Sequence, residues 1–353
     1  MNGQNNPDKC ARKEKKKMKT PYKVLISILC VIVALNICVV TTFAVLYFRG
    51  KKQALPDARP SIVPPSEAEA VIDGDDEDAV YYLGEKYRYN ENIATCLVLG
   101  SDNGNKSENE VGAKGEADAV FLVAFDTQSG KVYIINISRD AMTDVDIFST
   151  DGFLVRTERL QLCLAYDYGT DEEASSKNVA ASVTRLLYGV PVTRYMSLDI
   201  NAVSVITDAV GGVSVPEYNE KMSEKTGGTV TLYGEDAIHY IQRRDKSVLD
   251  SNNTRMQRQT DYIRSFGKVA LESVKSDITV ASDLFGILGD YMTTDITPSL
   301  VTYYATNYIT KDGSLTFLSL PGSVVEGKDG YAEFEVDPIK TFEMILSVFY
   351  IKE

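Results

Sequence analysis

Residues 93–99 read IATCLVL and residues 119–125 read AVFLVAF, two apolar runs without the alternation of a strand that has one solvated face. Continuous apolar runs of this length are typical of strands buried on both faces. Further strands are predicted at 131–137, 195–198 and 314–320, and helices at 172–187, 201–210, 254–274, 298–309 and 337–350. Strands buried on both faces need helices on both sides, so we predict an α/β protein, an α/β/α sandwich around a mixed central sheet.

An uncharged apolar segment, VLISILCVIVALNICVVTTFAVLYF, covers residues 24–48. About 20 apolar residues suffice to cross a bilayer. The apolar core of a secretory signal peptide is shorter, roughly 7–15 residues, and is followed by small residues. This run instead ends in Tyr47, Phe48 and Arg49. The segment therefore predicts one uncleaved transmembrane helix.

The basic tail before this helix predicts its orientation. Residues 1–23 contain eight basic and two acidic residues, in a chain whose formal net charge is −13. The positive-inside rule places this tail in the cytoplasm and the rest of a single-pass cell-membrane protein outside the cell. Residues 49–88 are rich in Pro, Ala and acidic residues and are predicted to be a solvated linker, so that 89–353 form the extracytoplasmic domain. No nucleic-acid role is expected, because the tail cannot hold a recognition helix with its scaffold.

Residues 242–259, QRRDKSVLDSNNTRMQRQ, concentrate positive charge in this acidic chain. Four of them are arginines: Arg243, Arg244, Arg255 and Arg258. The planar guanidinium group binds phosphate with two parallel hydrogen bonds, which lysine does not. On a helix, Arg255, Arg258 and Gln259 are spaced i, i+3 and i+4 and share one face. The segment predicts a site for a phosphate-bearing anion, with a solvated basic helix face as the alternative.

Aspartates stand next to the predicted strands. Asp102 follows the first apolar run, Asp118 immediately precedes the second, and Arg139 follows the third strand within Ser138-Arg139-Asp140. Ligands of open α/β sheets bind beyond the carboxyl ends of the strands. Mg²⁺ prefers carboxylate oxygens. We therefore predict that Asp102 and Asp118 hold Mg²⁺; turn formation or helix capping is the alternative.

Cysteine and histidine predict little catalytic chemistry. Cys96 and Cys163 lie in apolar segments and are predicted to be buried free thiols rather than a disulfide. His239 is the single histidine, so any catalytic triad would depend on it. Its helical surroundings favour a structural role.

Five motifs together resemble the LytR-CpsA-Psr family of bacterial cell-envelope proteins. They are LVLGSD at 97–102, the strand entry at Asp118, NISRDA at 136–141, VITDAVGGVSV at 205–215, and the terminal RRD and RMQRQ segments. Their order and approximate spacing are similar to those of the family between residues 93 and 263. The short basic tail and the single membrane span are also similar to those of family members.

The resemblance implies a Mg²⁺-dependent phosphotransferase of Gram-positive cell-wall biogenesis, whose α/β/α sandwich has an apolar cavity for a prenyl chain. Such an enzyme moves a teichoic-acid-like or capsular glycopolymer from a polyprenyl-pyrophosphate carrier to a peptidoglycan hydroxyl, forming a phosphodiester; pyrophosphate hydrolysis is a side activity of the same chemistry. The implied metal ligands are Asp102 and Asp118. The implied pyrophosphate-binding residues are Arg139, Arg244, Arg255 and Gln259, with Arg243 and Arg258 in support; of these, Arg139, Arg244 and Arg255 are also implied to be catalytic.

Three positions depart from the family's pattern. Glu116 and Gln242 stand where the family often has Arg, and Asn252 stands where it often has Asp. Without a carboxylate at 252, Asp250 or Asp245 becomes the candidate general base. These departures permit a second hypothesis, a non-catalytic polyprenyl-pyrophosphate-binding or regulatory membrane protein.

Overall fold

The computed structural model of the protein describes residues 20–54, 60–74, 76–101, 115–221, 223–244, 251–328 and 330–353. The helices are α1 (Thr20–Ala54), α2 (Leu164–Asp167), α3 (Glu172–Leu186), α4 (Asn201–Ala209), α5 (Gly234–Gln242), α6 (Ser251–Ser276), α7 (Thr279–Ile287), α8 (Pro298–Thr310) and α9 (Pro338–Phe349). The strands are β1 (Val71–Asp73), β2 (Asp76–Tyr82), β3 (Glu85–Tyr89), β4 (Ile93–Ser101), β5 (Ala117–Asp126), β6 (Val132–Ile137), β7 (Met142–Phe148), β8 (Leu154–Gln161), β9 (Arg194–Asp199), β10 (Val213–Tyr218), β11 (Lys225–Leu232), β12 (Met292–Thr294), β13 (Leu315–Ser319), β14 (Gly322–Glu326), β15 (Ala332–Val336) and β16 (Tyr350–Lys352).

The chain divides into two units, Met1–Val45 and Leu46–Glu353. The described part of the first unit is the apolar beginning of α1. Within α1, Ile28–Ala54 is long and apolar enough to cross a membrane, and it is the one helix of this kind among the described residues. The predicted apolar helix is therefore confirmed, and it continues past Phe48 to Ala54.

The second unit is built around a six-stranded sheet in the order β12-β9-β4-β5-β6-β13. β4 pairs with β9 and β6 with β13 in parallel, whereas the other neighbours are antiparallel. The five strands predicted from the sequence are β4, β5, β6, β9 and β13, and all five lie side by side. The predicted mixed central sheet is confirmed.

Local capping residues set the starts of three helices of the second unit. Asp171 precedes α3 and accepts a hydrogen bond from the Ala174 amide at 2.7 Å. Thr297 and Asp337 cap α8 and α9 in the same way, and each is followed by proline at the first helical position. Such residues satisfy free amides of the first turn, so the predicted helix starts at 172, 298 and 337 agree with the structure within one residue.

The first face of the sheet carries the main hydrophobic core. Leu97 and Leu99 of β4 and Leu122 of β5 are fully buried, and they belong to one cluster with Val183 of α3 and Phe342 of α9. Burial of one aliphatic side chain contributes about 1.5–3 kcal/mol, so this layer supplies much of the driving force for folding.

Helices α6 and α8 lie on the second face. Asn136 of β6 donates from Nδ2 to Thr260 Oγ1 of α6 at 2.6 Å. Phe125 of β5 packs on Tyr304 of α8 with ring centroids 4.9 Å apart. Helices on both faces of one sheet confirm the α/β/α sandwich.

The second face is incompletely covered between these two contacts. Cys96 and Val98 of β4, Val123 of β5, and Met196 and Leu198 of β9 are only half-buried. Helix α7 contacts α4, α6 and α8, and none of its residues is buried. The prediction that both faces of the apolar runs are fully buried is wrong for this face. Among the described residues, no helix covers its centre as α3 and α9 cover the first face.

The solvated linker predicted at 49–88 is wrong for the described part of that segment. The last turn of α1 buries Ala54 against α8. Strands β1, β2 and β3 form a four-stranded sheet with β16, and Val80 and Tyr82 of β2 enter the main core. Tyr81 between them is exposed, a one-sided strand pattern whose signal was hidden by the acidic residues around it.

Gly50 marks the close approach of α1 to α8, and it generates a stability prediction. A Cβ atom at this position would lie 2.0 Å from the Ser299 carbonyl oxygen and 2.7 Å from Tyr303 Cβ. Gly50→Ala should therefore destabilise the protein by about 1–3 kcal/mol, which outweighs the gain in helix propensity of ~1 kcal/mol. The Tm of the full chain in detergent, followed by circular dichroism, should fall by several degrees.

Gly286 in α7 provides a matched control. It is also a helical glycine, but an added Cβ would have no atom within 4 Å. Gly286→Ala should leave the Tm unchanged or raise it, because only helix propensity acts there. A Gly50→Ala protein with the Tm of the wild type would refute close packing of α1 on α8.

Candidate active site

Four of the predicted site residues, Asp118, Arg139, Arg255 and Gln259, meet where the central strands of the six-stranded sheet end. Strand β5 runs antiparallel to both β4 and β6, and Val120 near its start pairs with Ile137 at the end of β6. The start of β5 therefore lies beside the carboxyl ends of its two neighbours. Asp118 on β5 and Arg139, just after β6, come into contact there.

Helix α6 completes a small recess at this edge. Asn252, Arg255 and Gln259 are spaced i, i+3 and i+7, so they lie on one face of the helix. All three line the recess, together with Asp118 and Arg139. Arg139, Arg255 and Gln259 were predicted as neighbours from segments over one hundred residues apart in sequence, and the fold brings them together.

Arg139 is surrounded by acceptors. Its Nη1 contacts Asp118 Oδ1, its Nη2 contacts Glu116 Oε2, and Nη2 also donates to Cys163 Sγ at 3.3 Å. Its Nε lies 3.5 Å from Asp140 Oδ1 and has no hydrogen-bond partner among the described residues. Burial lowers the pKa of Arg139, but Cys163, Asp118 and Glu116 together raise it above its ordinary value. The guanidinium is therefore a fixed positive charge.

At neutral pH Cys163 is an uncharged acceptor toward Arg139, and its thiolate raises the pKa of Arg139 only at the high pH at which the thiol ionises. The thiol is fully buried and free, and burial raises its pKa to about 12. At neutral pH it is protonated, so it is a poor nucleophile. Cys96 is also a free thiol, but it is half-buried. The prediction of free thiols is confirmed for both residues, and full burial is confirmed for Cys163.

Arg255 shares the carboxylate of Asp118 with Arg139. Only 7% of Arg255 is exposed, and its Nη1 lies 3.2 Å from Asp118 Oδ1. Burial lowers the pKa of Arg255, and Asp118 partly offsets that effect. The other guanidinium nitrogens have no hydrogen-bond partner in the part of the chain that the structure describes. They are donors available to an anionic ligand in the recess.

A second chain of contacts ties the start of α6 to the end of β6. Arg244 Nη1 donates to Asn252 Oδ1, and Asn252 Nδ2 donates to Asp140 Oδ2 at 2.5 Å. Asp140 is 4% exposed. An aspartate at position 252 would face the carboxylate of Asp140 with a like charge, whereas the Asn252 amide donates to it. Beside the carboxylate of Asp140, asparagine at position 252 is therefore more favourable than aspartate would be.

Arg258 lies outside the recess. It is 0% exposed, and it donates to three main-chain carbonyl oxygens, from Nε to Tyr240 at 2.9 Å, from Nη1 to Thr254 at 3.2 Å, and from Nη2 to Arg243. Its guanidinium carbon is 5.6 Å from the centre of the Tyr218 ring. Arg258 therefore does not line the recess, and its donors connect α6 to the end of α5, so any part that it plays at the site is one of support.

The remaining predicted residues are not brought into the recess. The Arg243 side chain is exposed at the end of α5, and so is the neighbouring Gln242. His239 is exposed on the same helix, so it supports no triad with the residues that line the recess. Asp102 and Asp250 lie outside the described residues.

Sequence reasoning did not include Glu116 and Asp140 among the site residues. Glu116 contacts the same guanidinium as Asp118, and Asp140 holds Asn252. Both are within two residues of a predicted site residue. An acidic residue so close to a charged residue at a strand end was the feature of the sequence that could have indicated them. Charge alone did not reveal which neighbour turns toward the recess.

One carboxylate of the recess is suited to Mg²⁺. The described residues contain no group of three or more Asp, Glu, His or Cys side chains that could hold a metal ion. Asp118 lines the recess, its side chain is 36% exposed, and its Oδ2 atom has no partner among those residues. Mg²⁺ usually takes one or two carboxylates and completes its shell with water and phosphate oxygens, so a single accessible carboxylate fits.

Comparisons with known proteins agree with this architecture. The model of the LytR_cpsA_psr family matches residues 66–345. The polyisoprenyl-teichoic acid–peptidoglycan teichoic acid transferase TagU of Oceanobacillus iheyensis is 23% identical over 253 residues, which are 70% of this chain and 72% of that protein. TagU of Enterococcus faecalis is 20% identical over 210 residues, 59% of this chain and 63% of that protein.

Solved structures show the same fold. A protein from Streptococcus agalactiae has a TM-score of 0.56 and 20% identity, with 72% of this chain and 86% of that chain covered. TagV of B. subtilis has a TM-score of 0.53 and 17% identity, with 72% and 94% covered. TagT bound to LI-WTA has a TM-score of 0.52 and 20% identity, with 72% and 88% covered. Because the family model spans most of the chain, including every strand of the central sheet, the protein belongs to the LytR_cpsA_psr family.

Proposed function

We propose that the protein is a membrane-anchored phosphotransferase that moves a teichoic-acid-like or capsular glycopolymer from a polyprenyl-pyrophosphate carrier to peptidoglycan. The names of the TagU relatives describe teichoic acid transfer to peptidoglycan. The observation that carries the proposal is the convergence of two arginines, the partly buried Arg139 and the buried Arg255, on Asp118 at the edge of the sheet.

The charges of the recess explain why an anion and a cation would bind together. In and next to the recess, three arginines are balanced by three carboxylates: Arg139, Arg244 and Arg255 against Glu116, Asp118 and Asp140. A pyrophosphate adds several negative charges to this balanced set. We therefore propose Mg²⁺ as a cofactor held by Asp118, where it would supply positive charge beside the phosphate oxygens.

The proposed reaction is an in-line displacement at phosphorus. A peptidoglycan hydroxyl oxygen attacks the phosphorus that carries the glycopolymer, and a new phosphodiester forms. The bond from that phosphorus to the bridging oxygen breaks, polyprenyl phosphate leaves with the electron pair, and a base takes the hydroxyl proton. The free donors of Arg255 and the fixed charge of Arg139 stabilise the charge that develops on the phosphate oxygens. Asp250 remains the candidate base.

The half-buried second face of the sheet supports the prenyl part of the substrate. Small residues, Gly100 and Ala119, pair across β4 and β5 directly beside Asp118. Next to them lie the half-buried apolar side chains of the second face, among them Val98 and Leu198. An apolar surface left open in a folded domain is typical of a ligand site, and a prenyl chain bound there would keep its pyrophosphate at the recess.

The proposed orientation generates a topology prediction. If residues 1–23 are cytoplasmic, the unit Leu46–Glu353 is outside the cell, where it meets both the lipid carrier and peptidoglycan. Protease added to intact protoplasts should then digest this unit. A cytoplasmic marker protein should stay intact in the same sample. Digestion of the unit only after lysis would contradict the orientation.

The arginine assignment predicts a loss of lipid affinity. Arg255→Ala and Arg139→Ala should each weaken binding of a polyprenyl-pyrophosphate glycan to the full chain by at least about 1.5 kcal/mol, because each removes charge-assisted hydrogen bonds to an oxyanion. The lysine variants should recover only part of the affinity, since the fork geometry is lost. The measurement is titration of the lipid in detergent.

Arg258, on the same helix as Arg255 but outside the recess, provides a control substitution. Arg258→Met should lower the Tm, because three main-chain carbonyl oxygens lose a buried donor, whereas any folded fraction should bind the lipid with wild-type affinity. Wild-type lipid affinity in both Arg255→Ala and Arg139→Ala would show that the recess does not bind pyrophosphate.

The metal assignment predicts an effect of Asp118→Asn. The substitution keeps the shape of the side chain and removes the anionic oxygen that Mg²⁺ prefers. Transfer activity should fall and should be partly restored by raised Mg²⁺, and the Mg²⁺ affinity measured calorimetrically with bound pyrophosphate lipid should fall in parallel. Asp126→Asn is the control, because Asp126 lies at the other end of β5 and accepts only turn hydrogen bonds. Wild-type Mg²⁺ curves for Asp118→Asn would refute the site.

A second function, lipid binding without turnover, is favoured by one observation. Glu116 contacts Arg139, and so it competes with a pyrophosphate for the same donors. Incubation of the full chain with a prenyl-pyrophosphate glycan, Mg²⁺ and a peptidoglycan acceptor separates the outcomes. Product linked to peptidoglycan supports the transferase, free glycan phosphate shows hydrolysis, and unchanged bound lipid supports the binding protein.

A further inference from the structure

A groove with a volume of about 570 Å³ lies outside the recess, between the second half of α6, the end of α8 and the edge strand β13. We call it the basic groove. Three cationic side chains of α6 line it, Arg264, Lys268 and Lys275. Tyr308 of α8 and Phe317 of β13 form the aromatic part of its lining.

The helical spacing separates the basic groove from the recess. Arg264, Lys268, Leu271 and Lys275 are spaced i, i+4, i+7 and i+11 and form one stripe along α6. Arg255 is nine residues before Arg264, which at about 100° per residue places it on the opposite side of the helix. The groove and the recess therefore use different faces of α6, and the cations of the groove do not belong to the pyrophosphate site.

Aromatic rings hold two of the cations in place. The Arg264 guanidinium carbon is 5.0 Å from the centre of the Phe317 ring, and Lys275 Nζ is 5.6 Å from the centre of the Tyr308 ring. A cation over an aromatic face is attracted to it but keeps its full charge. The side chains are therefore positioned before a ligand arrives, which lowers the entropic cost of binding an anion.

Carboxylates neutralise these cations only weakly. Arg264 lies 3.8 Å from Asp261, a carboxylate that also contacts Lys225 at 2.8 Å. Lys275 lies 3.5 Å from Asp312, whose side chain is 97% exposed, so water screens that pair.

Lys268 has no ion pair among the described residues, and Glu272 is the one carboxylate in the lining. In a chain with a net charge of −13, three cations so weakly paired form a local positive potential. An anionic ligand complements it.

We propose that the basic groove binds a phosphate-bearing glycan chain, namely repeats of the anionic glycopolymer distant from the pyrophosphate. The identification of the anion as a glycan phosphate rests on the proposed function. Eleven residues of helix separate Arg264 from Lys275, a span of about 16 Å, which exceeds one phosphate group and suits successive repeats. Leu271 and Leu315 supply apolar lining for the carbon skeleton between phosphates. A volume of this size is ordinary for a small-ligand site.

The close packing of β13 on α6 maintains the groove. A Cβ at Gly267 of α6 would lie 3.4 Å from Leu315 Cδ2 of β13, an ordinary van der Waals distance, so the helix and the Leu315 side chain are in packing range. The Phe317 ring on the same strand is thereby kept within reach of Arg264. The groove is thus part of the packed fold and does not depend on a separate loop.

The test uses the full chain in nanodiscs of zwitterionic lipid, with fluorescent oligo(glycerol phosphate) as the probe. The triple variant R264Q/K268Q/K275Q should bind the probe at least about tenfold more weakly than wild type at low ionic strength, and added salt should weaken the wild type more than the variant. The matched control R159Q/K340Q/K352Q removes the same charge from ion pairs elsewhere on the surface, and it should bind like wild type. An equal loss in both triple variants would overturn the proposal.

A second measurement distinguishes the polymer from a membrane. Hydrogen exchange should show that the probe protects residues 264–275 and 308–317 in zwitterionic discs. Protection that instead requires anionic lipid and no probe would assign the groove to the membrane surface and overturn the proposal. The assay contains no transfer step, so Arg255→Ala should keep probe binding. Absence of transfer by the wild-type protein, with probe binding retained, would contradict the proposed function alone. Loss of probe binding in the groove variant, but not in the control triple variant, supports the groove.

Discussion

The carboxylate of Asp118 is the interaction on which the candidate site depends. One oxygen of this side chain is shared by Arg139, which follows β6, and Arg255, which belongs to α6. Two guanidinium groups at this degree of burial would otherwise repel each other with little water to screen them. Asp118 therefore joins the edge of the sheet to the helix that covers it. The groups in this contact, a carboxylate and two guanidinium groups, are also those that bind a cation and a phosphate.

The rest of the site adjusts to that arrangement by balancing charge. Glu116 adds a carboxylate beside Arg139, while Asn252 replaces a possible carboxylate next to Asp140 with an amide that donates to it. Relative to arginine at 116 and aspartate at 252, the first change lowers the local charge by two and the second raises it by one. The change at 252 therefore offsets half of the change at 116.

The two faces of the central sheet have different tasks. The face toward α3 and α9 is fully packed and stabilises the domain. The opposite face is covered at its ends by α6 and α8 but stays half-buried in the middle, beside the recess. Apolar area left open lowers stability, so a domain of this size tolerates it only because the first face is well packed. Helix α6 then serves two surfaces, since one side faces the recess and the other side forms the basic groove.

The sequence by itself determined the apolar helix, the five central strands, the starts of the capped helices and the family, because each depends on local periodicity, local capping or short motifs. It also predicted Asp118, Arg139 and Arg255 as candidate site residues, since charged residues at strand ends and on one helix face are visible along the chain, and the fold brings these three together. Only the tertiary structure showed that Arg258 is buried and connects α6 to the end of α5. It also showed that Glu116 and Asp140 contact the site residues, and that β1, β2 and β3 form a sheet with the C-terminal strand β16. These outcomes depend on which segments, distant in sequence, pack together, and on which way each side chain turns there. A pattern of neighbouring residues in the sequence does not predict this packing or these side-chain orientations.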